Sequence, residues 1–314
     1  MPRFDITVAG ELNLDLIFYG LPLELPPERE LLAERMMLTL GSSSGIVAHN
    51  LAALGSRVGF ISLIGDDPLG QIAVQRLVEA RVDVSKLRRS AEATTGLTVI
   101  LQRDGWRNII TYLGTIAELT LEDLDLDYLA DARHFHFCSY YLQRGLRGKV
   151  ADLFCELKRA GLTISLDTND DPDDSWDGLS EVLPYVDVFM PNAREARKIA
   201  KSDDLEEAVT RLSAMVPLLV VKLGAKGALA QRGRERFTSP AVEVQMVDPV
   251  GAGDSFNAGF LAQYLHGADL PACLAFGNLA GAFSTTKAGG TEAFRDQASV
   301  AKFFRSASAA LPSK

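Results

Sequence analysis

Cysteine is nearly absent from this chain of 314 residues, which has only Cys138, Cys155 and Cys273. An odd set without CxxC spacing supplies neither a disulfide framework nor a zinc cluster. It reads as small buried hydrophobes in a reduced compartment. No apolar run approaches the ~18 residues that a membrane helix needs. The first ten residues pass straight into a strand-like pattern without a charged n-region and an apolar h-region, so the expected location is the cytoplasm, with no membrane partner. Positive charge is in deficit: 32 Lys and Arg face 41 Asp and Glu, a net charge of −9. That balance argues against a nucleic-acid partner, whose phosphates would be repelled. The densest cationic stretch, residues 81–89, contains Asp83 and reads as a solvated turn. There is no GxxxxGK(S/T) phosphate loop and no full GxGxxG, so neither a Walker nucleotidase nor a Rossmann dehydrogenase is the natural reading.

What is present suits a large core, because 47% of the residues are hydrophobic and 23% charged, which excludes a disordered chain. Length alone would allow one domain or two. Without a linker, repeat or low-complexity tract, the expectation is a single domain over residues 1–314. Apolar runs at residues 5–9, 57–64, 135–138, 163–166, 186–190 and 218–223 alternate with amphipathic segments, among them a helix over 47–54. That rhythm predicts an α/β fold with parallel strands, right-handed crossovers and helices on both faces. Two stretches break it: residues 11–40, with a Pro-rich loop, and residues 94–115, where Asp104-Gly105 between β-rich flanks signals a hairpin. Both are expected to supply strands of a small lid outside the main sheet.

The sharpest chemical signal is Asp248-Pro-Val-Gly-Ala-Gly-Asp254-Ser-Phe-Asn. Val242, Val244 and Met246 alternate as a strand, and residues 255–265 have helical periodicity. Gly251-Ala252-Gly253 therefore falls where a strand turns into a helix. Small residues let backbone amides converge there, and the helix N-terminus adds partial positive charge, which makes a site for a phosphate. Asp254 within it is either a helix cap or a base beside a phosphoryl group in transfer. Asn13 and Asp15 share one face of an extended segment, where paired acceptors suit a vicinal diol. His134 and His136 also share a strand face, but without a third ligand a structural role fits better than a metal.

The stretch from Asp248 to Leu261 resembles the C-terminal signature of the ribokinase-like sugar kinases, also called the phosphofructokinase-B type. The likeness runs through Gly10-Glu-Leu-Asn13-Leu-Asp15, then Gly41-Ser42 to Asn50 and Gly55, Gly65 to Gly70, Pro191-Asn192-Ala-Arg-Glu195, Lys222-Leu-Gly224-Ala-Lys-Gly227, and ends near Ala288-Gly289-Gly290. It implies a three-layer α/β/α sandwich with a mostly parallel central sheet and a small β-sheet lid. It also implies an ATP-dependent carbohydrate kinase. By that resemblance Asp254 is the base and Gly251, Ala252 and Gly253 form the anion hole. Asn192 and Glu195 organise hydrated Mg2+ and the triphosphate, Lys222, Gly224 and Gly227 lie along ATP, and Asn278 borders the adenine. The sugar side would draw on Asn13, Asp15, Gly41, Ser42, Ile46, Asn50, Ser139, Tyr140, Asp167 and Asn169. Asp248 and the Val250 carbonyl fall where some relatives hold a monovalent cation such as K+. Pairing of lids between two chains would give a homodimer.

The glycine-rich substrate motif departs from the family pattern. Its usual second Gly is Ser42, and Ile46 stands where a substrate-binding Asn is common. Loss of that amide puts ribose in doubt and leaves room for another sugar or a nucleoside. Tyr112, Tyr140, Tyr141 and Trp106, the last with Arg107 just past the hairpin turn, favour the nucleoside alternative. A catalytically silent sugar-binding or regulatory protein is the alternative of another class. The joint presence of Asp254, the anion loop and the Asn192–Glu195 pair argues against it.

Overall fold

The computed structural model describes residues 1–103 and 106–310, with backbone alone for the last five. Strands are β1 (Phe4–Ala9), β2 (Leu14–Tyr19), β3 (Arg35–Leu40), β4 (Val58–Ile61), β5 (Leu63–Gly65), β6 (Arg88–Ser90) and β7 (Leu97–Arg103). They continue with β8 (Trp106–Tyr112), β9 (Ala132–Cys138), β10 (Thr163–Asp167), β11 (Val188–Phe189), β12 (Leu218–Lys222), β13 (Ala228–Arg232) and β14 (Glu235–Ser239). Helices are α1 (Ser43–Ala53), α2 (Pro68–Glu79), α3 (Leu126–Ala130), α4 (Arg144–Arg147) and α5 (Val150–Arg159). They are followed by α6 (Ala193–Ala200), α7 (Leu205–Ser213), α8 (Ala252–Leu265), α9 (Leu270–Ser284) and α10 (Gln297–Ala310).

Eight strands form the central sheet in the order β14-β13-β12-β11-β10-β9-β1-β4, parallel from β12 to β4 and antiparallel in the β12–β13–β14 hairpins. The parallel strands are buried along almost their whole length, as strands covered on both faces must be. On one face Phe135, Phe137, Ile164 and Leu166 meet α3, α5, α6 and α7. On the other, Ile6, Val8, Phe60 and Val220 meet α1, α2, α8 and α9. This is the three-layer sandwich with a mostly parallel sheet. The second sheet, β3-β2-β7-β8, comes from the two stretches that broke the sequence rhythm. Strands β7 and β8 pair antiparallel up to Arg103 opposite Trp106. The expected Asp104-Gly105 turn itself lies outside the described residues.

Three expectations change. The run over residues 57–64 is two strands, because the chain breaks at Ser62 and β5 leaves the central sheet to pair with β6. The helix expected over 47–54 begins at Ser43, since the Ser42 hydroxyl accepts the Gly45 N–H and caps it. Residues 240–247 form no strand. Strand β14 is already the sheet edge, and the chain leaves it at Pro240. The segment is held instead by the N–H groups of Val247 and Asp248, which donate to Thr285 O (2.7 and 3.1 Å). Alternation there reflects a chain lying on a surface, with Met246 64% exposed.

Candidate active site

Five strand ends converge at one edge of the central sheet, where open α/β sheets hold ligands. The loop after β1 carries Asn13 and leads into β2, which carries Asp15, and β9 ends before Ser139. Strand β10 ends on Asp167, with Asn169 two residues on. Asn192 follows β11, and Lys222 ends β12, with a backbone bridge between these last two. The opening turn of α8 completes the group.

That turn is set by Gly251. Its φ of +72° and the 2.5 Å that would separate an added Cβ from Gly290 Cα both demand glycine. Ser255 donates backbone N–H and Oγ–H to Gly251 O (2.9 and 2.8 Å), which ties the turn to the helix. The Ala252 N–H leans to Pro249 O at 3.3 Å. Gly253 differs: a Cβ there would stand 3.7 Å from Lys222 Nζ, an ordinary contact. The ammonium of Lys222 thus lies at the Gly251–Gly253 turn.

Lys222 is ion-paired to the fully buried Asp167, whose Oδ2 also accepts Asn257 Nδ2–H (2.5 Å). Burial would lower the Lys222 pKa, but Asp167 and then Glu195 raise it overall, so the ammonium stays charged. Asp254 is buried beside this group. Burial, followed by the Asp167 charge, pushes its carboxyl up to about 6, against the pull of Lys222 and a hydrogen bond from Ser43. Asp15 is pushed up to about 7 by burial and by Asp254 and Asp248. Asn13 Nδ2–H reaches Thr98 Oγ1 (3.3 Å) across the lid and Leu14 O (3.0 Å). Burial, then Asp167, raises Glu195 as well.

Asn192 and Glu195 form a capping box on α6. Asn192 Oδ1 accepts the Glu195 N–H (3.0 Å), and Glu195 Oε2 accepts the Asn192 N–H (2.8 Å). Among the described residues no group of three or more His, Cys, Asp or Glu could chelate a metal alone. The buried Glu195, raised in part by Asp167, instead fits a cation held mainly by phosphate oxygens and water. Gly224 and Gly227 both take positive φ in the β12–β13 turn, and a Cβ on Gly227 would sit 2.0 Å from Ser239 O. Asn278 Nδ2 donates to Ser239 O and Pro240 O (3.0 and 2.9 Å), fastening α9 to the end of β14. Gly41 leaves space for Asp15, because an added Cβ would lie 2.1 Å from its Oδ1.

Several residues expected on the sugar side are occupied elsewhere. Asn50 spends its amide on Ser255 Oγ and Gly290 O (both 3.0 Å), locking α1 to α8. Ile46 packs against Gly251 and Gly290 beneath the anion loop. The Tyr140 hydroxyl donates to Gly178 O (3.3 Å), and its ring meets Tyr141 in the core of the α5 face. Asp167 belongs to the Lys222 group. Asn169 Oδ1 accepts the Ser139 N–H (2.9 Å). Asp248 accepts from Tyr19, Val250 and Gly289. His134 and His136 are buried in a hydrogen-bonded row, Thr163–His134–Ser165–His136–Cys138, with links of 2.6 to 3.0 Å. Burial pushes both imidazoles down to about 3, so they are neutral and structural.

Glu11, Tyr19, Ser43 and Asn257 carry no role in the sequence reading, yet all contact this group. Glu11 is buried and accepts from Ser44 N–H, Ser44 Oγ–H and Ser139 Oγ–H (3.1, 2.6 and 2.8 Å). Its position inside the Gly10–Asp15 motif was its one available signal.

A family model described as pfkB family carbohydrate kinase matches residues 3–297. A fructokinase of Klebsiella pneumoniae is 33% identical over 300 residues, covering 90% of this chain and 94% of that protein. A cytidine kinase of Thermococcus kodakarensis is 28% identical over 280 residues, covering 87% and 93%. Among solved structures, Arabidopsis thaliana ribokinase complexed with ribose and ATP superimposes with a TM-score of 0.81. That match is 23% identical and covers 96% of this chain and 99% of that one.

Proposed function

The chain belongs to the pfkB family of carbohydrate kinases, and from that premise we propose that it transfers the γ-phosphoryl group of MgATP to a hydroxyl of a small sugar, with Asp254 as the base. The observation that carries this reading is the buried Asp254 carboxyl beside the Gly251–Gly253 turn and the Lys222 ammonium. A carboxylate with its pKa near 6 is ionised at neutral pH and takes a proton more readily than an exposed Asp would. As the substrate oxygen bonds to the γ-phosphorus, the bond from that phosphorus to the ADP oxygen breaks and the hydroxyl proton passes to Asp254. Negative charge that builds on the phosphoryl oxygens meets the amides of Gly251, Ala252 and Gly253 and the Lys222 ammonium. Mg2+, held through Glu195 and water, would neutralise triphosphate charge.

The sugar would sit under the lid, gripped by Asn13 and Asp15. Tyr140 and Tyr141 lie in the core, and Trp106 and Tyr112 are exposed on the lid edge. The nucleoside alternative therefore loses Tyr140 and Tyr141 as a platform and rests on Ile46 and on the exposed Trp106 and Tyr112. Retention of the whole Asp254 group supports catalysis over silent binding. We also propose a single domain over residues 1–314 with its lid, a homodimer through that lid, and a cytoplasmic setting, consistent with three free cysteines. A coupled ADP-release screen over sugars, sugar phosphates, keto-deoxy acids and nucleosides tests the reading. ADP release with a sugar is expected. Release with nucleosides alone would establish the alternative, and ligand-induced thermal stabilisation without ADP release would favour a binding protein.

A further inference from the structure

A monovalent cation at Asp248 and the Val250 carbonyl does not fit the surroundings that this chain provides. Asp248 is fully buried. Its Oδ1 accepts the Val250 N–H (3.0 Å), and its Oδ2 accepts the Gly289 N–H (3.0 Å) and the Tyr19 hydroxyl (2.6 Å). Three hydrogens, the positive ends of their dipoles, already point at a carboxylate with about four lone-pair positions. The Tyr19 ring lies beneath the Arg35 guanidinium, 4.1 Å from its centroid. Tyr19, Ile17 and Ile100, with Met37 against them, pack with Val250 and Ala288 in one apolar cluster. The seam between lid and Gly251 turn is thus apolar and supplies Asp248 with donors, whereas a cation needs oxygen acceptors.

We propose that Tyr19 is a positioning residue that does, by a hydrogen bond, what a monovalent cation would do at this loop. Its hydroxyl holds Asp248, and so the start of the turn that presents Gly251 to Gly253. The same contact fastens the lid to that turn. Asp15 and Tyr19 stand on the same face of β2, four residues apart. One rigid strand therefore carries both the sugar-side carboxylate and the clamp on the phosphate site. The inference rests on the kinase reading above, and its consequence is turnover that is indifferent to K+.

The test compares wild type and Tyr19→Phe in choline, sodium and potassium chloride at equal ionic strength, on a sugar accepted in the screen, with Tm recorded in the same salts. Wild-type kcat is expected to agree within about twofold across the salts, with no rise in Tm from K+. Tyr19→Phe is expected to keep the sugar KM within about threefold and to lose kcat by about tenfold, as when a buried carboxylate loses one of its hydrogen-bond donors. Marked activation of wild type by K+ with a rise in Tm, or a variant with wild-type kcat, would overturn the proposal. Should the variant not fold, the wild-type salt comparison decides. If no sugar is phosphorylated, the kinase reading fails, and the Tm response to K+ still reports whether Asp248 takes a cation.

Discussion

Asp254 is buried near Asp167 and Glu11, and burial among like charges shifts its carboxyl to about 6. Only the ionised form can accept the hydroxyl proton, so kcat/KM should fall as pH drops below about 6. A profile of kcat/KM flat from about pH 5 to 8 would contradict that role. The same shift acts on stability in the opposite direction. A carboxyl whose folded-state pKa is raised favours folding in its protonated form. That contribution is present below about 4 and is lost as pH rises through about 6. Asp254 and its glycines are legible in the sequence because their chemistry is packed into a few consecutive residues. Tyr19 is not, because its partner is 229 residues away. Asn50 and Tyr140 show the same limit: neighbourhood in a motif gives a face or a strand end, whereas their partners, Ser255 and Gly290 for one and Gly178 for the other, lie far along the chain.

At the scale of the element, the first turn of α8 separates two uses of glycine. Gly251 is required by its own backbone angle and by Gly290. Gly251→Ala should therefore lower stability by about 2 kcal/mol or more. A Cβ on Gly253 meets only the flexible Lys222 side chain at ordinary distance, so the protein itself gives no steric reason for glycine there. Gly253→Ala should leave Tm within about 1 °C of wild type, yet reduce kcat/KM for ATP about tenfold or more, because the methyl stands where a phosphate must approach the backbone. Thermal melts and ATP titrations of the two variants check this, and equal loss of Tm in both would contradict it. The parallel strands were readable as apolar runs of the right length. The segment before this turn was not, because alternation at residues 240–247 looks the same with or without a neighbouring strand to pair with.

Across the whole molecule, eight strands and two helical layers build the floor, and the four-stranded lid stands over the strand ends. The β8 edge of the lid is largely unprotected: Trp106 is 74% exposed, and Ile109, Ile110 and Tyr112 are more than half exposed. An uncovered apolar edge strand is a template for pairing with a second copy. Light scattering should give twice the 34.0 kDa chain mass, and Ile110→Asp should shift the protein toward monomer. A wild-type monomer at about micromolar concentration would contradict the lid dimer. The deficit of positive charge across the chain is compatible with holding a triphosphate, since in the proposed site backbone amides and one buried lysine would supply the local field that a basic surface would otherwise provide.

We propose that this chain is a sugar kinase whose base is Asp254. The most direct test is turnover of wild type and Asp254→Asn on the same accepted sugar, with Tm measured on both. The variant should lose about a thousandfold or more in kcat. Its Tm should match or exceed that of wild type, because a buried charge held at a raised pKa has been removed. A variant that kept turnover within about tenfold of wild type would contradict the assignment.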